Sequence, residues 1–156
     1  PSWAPDGNRI AFRNSGDDKI WIYSLAEGRV YELDVAASAR AWSPAGDEIA
    51  FAHVDGGLWK IPAAGGTPTR IAAAIEGVGS IIWPPGDTLY FTSGASADWW
   101  TERTELWKIP AAGGAAVRIM DGLDDIRNLQ QAPEGTLYFS NSSQRGAIKH
   151  LALGQL

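Results

Sequence analysis

No cysteine occurs among the 156 residues, so neither a disulfide nor a thiolate metal site is available. No apolar run approaches the roughly 20 residues needed to cross a bilayer as a helix. No signal-peptide pattern opens the chain, and its first residues already read as the inside of a repeat. Clustered basic charge is missing too. Thirteen Lys and Arg stand against eighteen Asp and Glu, for a net charge of -5. A nucleic-acid surface needs gathered cations, so that class of partner is not expected. No run of like charge is long enough to form a tail.

What is present is turn chemistry and tryptophan. Eighteen Gly and nine Pro favour many turns over long helices, and eight Trp supply core-forming area. The length suits one domain. One stretch occurs twice: Leu58-Trp59-Lys60-Ile61-Pro62-Ala63-Ala64-Gly65-Gly66 returns as Leu106-Trp107-Lys108-Ile109-Pro110-Ala111-Ala112-Gly113-Gly114. Arg70-Ile71 and Arg118-Ile119 follow the two copies at the same spacing. Self-similarity of this kind marks a repeat architecture. Within a copy, Leu58 and Lys60 fall on one face of an extended strand, Trp59 and Ile61 on the other. The double glycine then turns the chain, and Thr67 to Ile71 can run back as the second arm of a hairpin.

A longer unit surrounds this hairpin. Trp3-Ala4-Pro5-Asp6-Gly7 leads to Ile10-Ala11-Phe12, and Trp42-Ser43-Pro44-Ala45-Gly46 leads to Ile49-Ala50-Phe51. Ile82-Trp83-Pro84-Pro85-Gly86 leads to Leu89-Tyr90-Phe91, and Gln131-Ala132-Pro133-Glu134-Gly135 leads to Leu137-Tyr138-Phe139. Pro presets φ for a tight turn and Gly accepts positive φ. The third strands align as Ile20-Trp21-Ile22-Tyr23, Leu58 to Ile61, Leu106 to Ile109 and Ile148-Lys149-His150-Leu151. Four antiparallel strands in each unit of about 40 residues is the pattern of a propeller blade. One blade cannot bury both faces, so the repeat-equivalent Trp and Phe are expected to fill the seams between stacked blades.

Trp-Ser-Pro-x-Gly-x-x-Ile-Ala-Phe, followed by Leu-Trp-x-Ile and Gly-Gly, resembles the TolB-type propeller repeat, also found in tricorn-like proteases, prolyl-oligopeptidase propellers and bacterial sensors. The fold class expected is all-β, a propeller or propeller segment of four four-stranded blades, near 1–35, 36–74, 75–122 and 123–156, the last incomplete. The fourth unit departs most: Gln131 and Lys149 replace the first- and third-strand Trp, and a residue is missing near its turn. The chain stops just after its third strand, so the expectation is a piece of a longer protein, or a half-ring completed by self-association. An open edge would otherwise invite pairing.

The resemblance places the loops between second and third strands on the face that joins blades, where binding usually sits. Unit three alone carries a long insertion there, from Ser93 to Thr104, with adjacent tryptophans outside the repeat. Trp99, Trp100, Glu102 and Arg103 have the composition of an interaction hot spot; the competing reading is local packing over the blade edge. First strands would line a central channel, bringing Arg40, Ser80, Arg127, Asn128 and Gln130 to a small anion or to channel water. Arg40 and Arg127 join the candidate binding residues. Asp17, Asp18, Asp55 and Asp98 fall on the same loops but lack calcium-loop spacing, so no metal is expected.

Catalysis has little support. Gly94-Ala95-Ser96-Ala97-Asp98 misses the nucleophile elbow by its last residue. His53 and His150 lie in unrelated units without evident Ser and Asp partners. Gly77-Val78-Gly79 lacks the third glycine and the helix of a dinucleotide loop. The expected function is a non-catalytic scaffold that binds a protein, without cofactor and without membrane insertion. The alternatives are the gating propeller of a prolyl-oligopeptidase-like or tricorn-like serine peptidase, its catalytic domain outside this chain, and a ligand-sensing extracytoplasmic domain. The resemblance implies a periplasmic or other extracytoplasmic setting. If Trp99 and Trp100 form a contact surface, replacing both by Ser changes unfolding free energy by only about 0.5 kcal/mol. A loss of several kcal/mol in denaturant unfolding would assign them to local core.

Overall fold

The computed structural model describes residues 1–94, 103–124, 126–132, 136–141 and 148–152. These residues form strands and turns, with no helix among them: β1 Ser2–Trp3, β2 Arg9–Arg13, β3 Lys19–Ser24, β4 Arg29–Trp42, β5 Glu48–His53, β6 Leu58–Pro62 and β7 Thr69–Ala72. There follow β8 Val78–Ile82, β9 Thr88–Ser93, β10 Arg103–Pro110, β11 Val117–Asp124, β12 Ile126–Gln131, β13 Thr136–Asn141 and β14 Ile148–Ala152. Within each sheet, chain neighbours pair antiparallel. The sheets are β1 to β7, β8 to β11, and β12 to β14.

The seven-stranded sheet is two units sharing one strand. The sequence reading separates them at residue 35, expecting a fourth strand and then a new first strand. Instead β4 runs unbroken through 14 residues. No Gly or Pro occurs from Arg29 to Trp42 to stop it. The boundary is a change of partner: β4 pairs with β3 up to Ala36, opposite Lys19, and with β5 from Ala37, opposite His53. At the next junction Gly77, with φ of 62°, ends the run before β8.

Repeated sequence gives repeated turns. The Pro-x-Gly turns close by Gly7 N–H donating to Ala4 O at 3.0 Å and Gly46 N–H to Ser43 O at 2.9 Å. In the duplicated hairpin, Gly65 and Gly66 take φ of 90° and 135°, and Gly113 and Gly114 take 98° and 134°. These are left-handed values that favour glycine. Each third-strand turn is tied to the Pro-x-Gly turn of its own unit: Leu25 N–H to Asn8 O, Ala63 N–H to Asp47 O, Ala111 N–H to Asp87 O. Both turns therefore share one end of the sheet. At the other end, Ala37 N–H reaches Asp18 O, Gly57 N–H reaches Ile75 O and Gly94 N–H reaches Gly77 O. That end gathers the second-to-third-strand loops and the unit junctions, as expected.

Strand alternation then distributes the inner sheets between two cores. In β5, Ile49 and Phe51 enter a core with Ile20, Ile22 and Leu33, while Ala50 and Ala52 enter one with Leu89 and Phe91. In β6, Ile61 goes to the first and Leu58 to the second. A third core joins Leu106 to Leu129, Leu137 and Phe139. Phe51 and Phe91 are fully buried, and Trp107 stacks on Phe91 at 6.4 Å with the planes 9° apart. The expectation of aromatic seams holds for these rings and for buried Trp42. It fails at Trp3, which is 60% exposed, because no described sheet covers the outer face of the first one.

The duplicated turn offers a controlled comparison. A methyl on Gly65 would meet only Leu33 Cδ2 at 3.9 Å, whereas one on Gly113 would press on Ile71 O at 3.1 Å. Gly65→Ala and Gly113→Ala share the backbone strain of about 1–3 kcal/mol. Chemical denaturation should find Gly113→Ala the more damaging by about 1 kcal/mol. Equal losses would contradict the packing of this turn on β7.

Candidate functional site

The first strands of successive units lie side by side: β1 touches β4, β4 touches β8, and β8 touches β12. Between them is a cavity of about 210 Å³, lined by Ser2, Ser38, Arg40, Gly79 and Ser80 among others. Arg40 and Ser80, which the sequence placed along a channel, are thus brought together. Arg40 Nη2 donates a long bond of 3.4 Å to Ala11 O, while its Nε is buried without a partner. Burial, and then the charge of Arg13, pull the Arg40 pKa below the usual arginine value. Arg13 itself faces Asp18 at 3.3 Å. Ser2 Oγ is likewise buried and unbonded. Ser2 and Ser38 were not legible as site residues, since small hydroxyl residues in a strand carry no motif.

A larger cleft of about 500 Å³ opens at the loop end, between the β5–β6 loop and the β7–β8 junction. His53, Asp55, Gly57, Glu76 and Gly77 line it. His53 Nδ1 accepts the Asp55 amide at 3.1 Å, and its ring lies 6.4 Å from Phe51 and 6.2 Å from Trp59. The Asp55 carboxylate also lies 3.7 Å from Nδ1; a triad would further need a hydroxyl at the other ring nitrogen. Gly77 is explained by crowding: a methyl there would collide with the Gly94 carbonyl. Its neighbour is the root of the unit-three insertion, not a phosphate.

The loop aspartates serve their turns. Asp17 Oδ1 accepts the Lys19 amide at 3.0 Å, and Asp18 pairs with Arg13. Among the described residues, no group of three His, Asp or Glu side chains comes together to hold a metal. Of the insertion, Trp99, Trp100 and Glu102, together with Asp98, lie outside the described residues. Arg103 opens β10 opposite Asp124, and Arg127 lies in β12 opposite Ser140. Gln130, opposite Tyr138, is exposed. The structure therefore joins Arg40 to Ser80, and places Arg103 and Arg127 only by strand and register.

No protein-family model matches the sequence, and no curated protein matches it. Solved structures do. The tricorn protease superposes on 99% of this chain with a TM-score of 0.72 at 11% identity. A gluconolactonase from Xanthomonas campestris superposes on 97% with a TM-score of 0.75 at 17% identity. A calcium-binding regucalcin from Agrobacterium tumefaciens superposes on 98% with a TM-score of 0.71 at 19% identity. The chain has a β-propeller fold. It spans 57% of the gluconolactonase chain, 52% of the regucalcin chain and 21% of the tricorn chain. At such identities the likeness speaks for the propeller fold alone; two of these propellers are named as enzymes, so the fold excludes no activity.

Proposed function

We propose that the chain is a non-catalytic interaction module, a TolB-type propeller segment of four four-stranded blades, the last incomplete, that binds a protein partner. The partner that fits is a second copy, whose sheet would extend the ring. The observation that carries this reading is the open outer face of the first sheet. Trp3 stands opposite Ile10 as Trp42 stands opposite Ile49, and Trp21 opposite Phe12 as Trp59 opposite Phe51. Ile49, Phe51 and Trp42 lie inside a seam, but Trp3 and Tyr23 are exposed and Ile10, Phe12 and Trp21 are only half-buried. A contiguous aromatic patch of this kind is the usual core of an interface.

The rest of the chain supplies the pattern of what covers such a face. Ala50, Ala52 and Leu58 of one sheet receive Leu89 and Phe91 of the next. A sheet of the same repeat, offering small side chains, is therefore the complementary surface. The chain has about half the length of the two bacterial propellers it resembles. His53, held by loop packing, gives no reason to assign catalysis to this chain.

The gating propeller of a tricorn-like peptidase remains the second reading, favoured by the superposition on the tricorn protease over nearly all of this chain. A peptidase domain in the adjoining reading frame would establish it. For the first reading, light scattering across a concentration series should give a dimer mass. Trp3→Lys combined with Tyr23→Lys should give a monomer with unchanged far-UV circular dichroism. A wild-type monomer at every concentration would refute self-association, and a dimer untouched by the double variant would move the interface elsewhere.

A further inference from the structure

Strand register reveals where one unit breaks the repeat. Arg40 stands opposite Phe51 across β4 and β5, and Ile81 stands opposite Phe91 across β8 and β9. In β12, Leu129 directly precedes Gln130, which stands opposite Tyr138, and it shares a core with Phe139. Ile81 is 5% exposed and Leu129 4%, each closing the inner end of its seam. The first seam has a guanidinium at that place. Arg40 is half-buried, with its Nε shielded from water, and a cation partly withdrawn from water is costly unless paired. A local departure from the rule its own repeat obeys points to function.

Among the described residues nothing offsets that cost. Among the described residues, no carboxylate lies within ion-pair distance of Arg40. Its one hydrogen bond is the long one to Ala11 O, and its Nε–H has no acceptor. The adjoining cavity of about 210 Å³ is lined by Ser2, Ser38 and Ser80 together with Pro1, Ala39 and Ile81, and no acid lines it, although the chain as a whole is acidic. Ser2 Oγ, in the same lining, also lacks a partner.

We propose that this cavity binds a small monocarboxylate, held by the Arg40 guanidinium with support from the Ser2 hydroxyl. The planar fork of arginine matches the two oxygens of a carboxylate. The Arg40 guanidinium calls for a negative charge, and Arg13 is already turned to Asp18. The cavity is smaller than the roughly 300–1,000 Å³ that suits larger ligands, so an ion or a compact acid is its natural occupant. The site lies in the first seam, on the opposite face of the first sheet from the proposed docking patch. It stands whether or not the chain dimerises.

The test is calorimetric titration with sodium acetate and sodium lactate, against sodium chloride of equal ionic strength, with phosphate as comparator. Saturable binding of a carboxylate is expected, weakened at least tenfold by Arg40→Leu, which restores the aliphatic residue of the other seams. The same variant should melt at an unchanged or higher temperature, since an unpaired, half-buried charge is gone. Should Arg40→Leu fail to fold, Arg40→Lys and Ser2→Ala each weaken binding several-fold. No saturable binding beyond chloride, undiminished binding in these variants, or tighter binding of phosphate than of either carboxylate would overturn the proposal.

Discussion

The structure depends on the sharing of the inner sheets between two hydrophobic cores. Successive side chains point to opposite faces of a strand, and in these units both sets are apolar. In β5 the sequence Ile49-Ala50-Phe51-Ala52 delivers large residues backward and small ones forward. Large meets small at the next seam, where Leu89 and Phe91 enter the space left by Ala50 and Ala52. That complementarity sets the stacking order in a chain without cysteine. It also places the inner strands β1, β4, β8 and β12 side by side, which creates the Arg40 cavity as a consequence of packing.

Two places depart from this scheme, and the functional readings rest on them. On the outer face of the first sheet, Trp3, Phe12, Trp21 and Tyr23 repeat the seam pattern without a seam. In the first seam, Arg40 replaces the aliphatic residue that closes the others. The outer end of that seam is, by contrast, well satisfied. Arg9 lies 4.9 Å over the Trp42 ring, donates to Gly46 O at 2.7 Å and pairs with Asp6 at 2.6 Å. The Asn8 amide, and then Arg9, hold the Asp6 carboxyl below its ordinary value. One arginine is thus fully engaged in joining two units, while the other, deeper in the same seam, is left with a single weak bond.

Much of the fold was legible because the repeat is explicit. Leu58 to Gly66 and its copy predicted a strand, a glycine turn and a return strand, and the two turns adopt the same conformation. The alternation of Trp59 and Ile61 against Leu58 and Lys60 predicted opposite faces, and Ile61 and Leu58 enter different cores. The continuity of β4 was less legible, since unit boundaries read from prolines say nothing about a junction that lacks breakers. The identity of the Arg40 position was hidden for a geometric reason. Trp42 stands two residues before Pro44, whereas Trp83 stands directly before Pro84, so the two first strands enter their turns one residue out of step. Counting from Pro44 and Pro84 aligns Arg40 with Ser80; pairing with Phe51 and Phe91 aligns it with Ile81.

The most direct test of the seam account is a set of nuclear Overhauser contacts in the 156-residue chain. The Phe91 ring should show contacts to the methyls of Ala50, Ala52 and Leu58, residues of a different unit. The Phe51 ring should show contacts to the methyls of Ile20, Ile22 and Leu33. Rings that contact only their own sheet would contradict the stacking on which the cavity and the open face both depend.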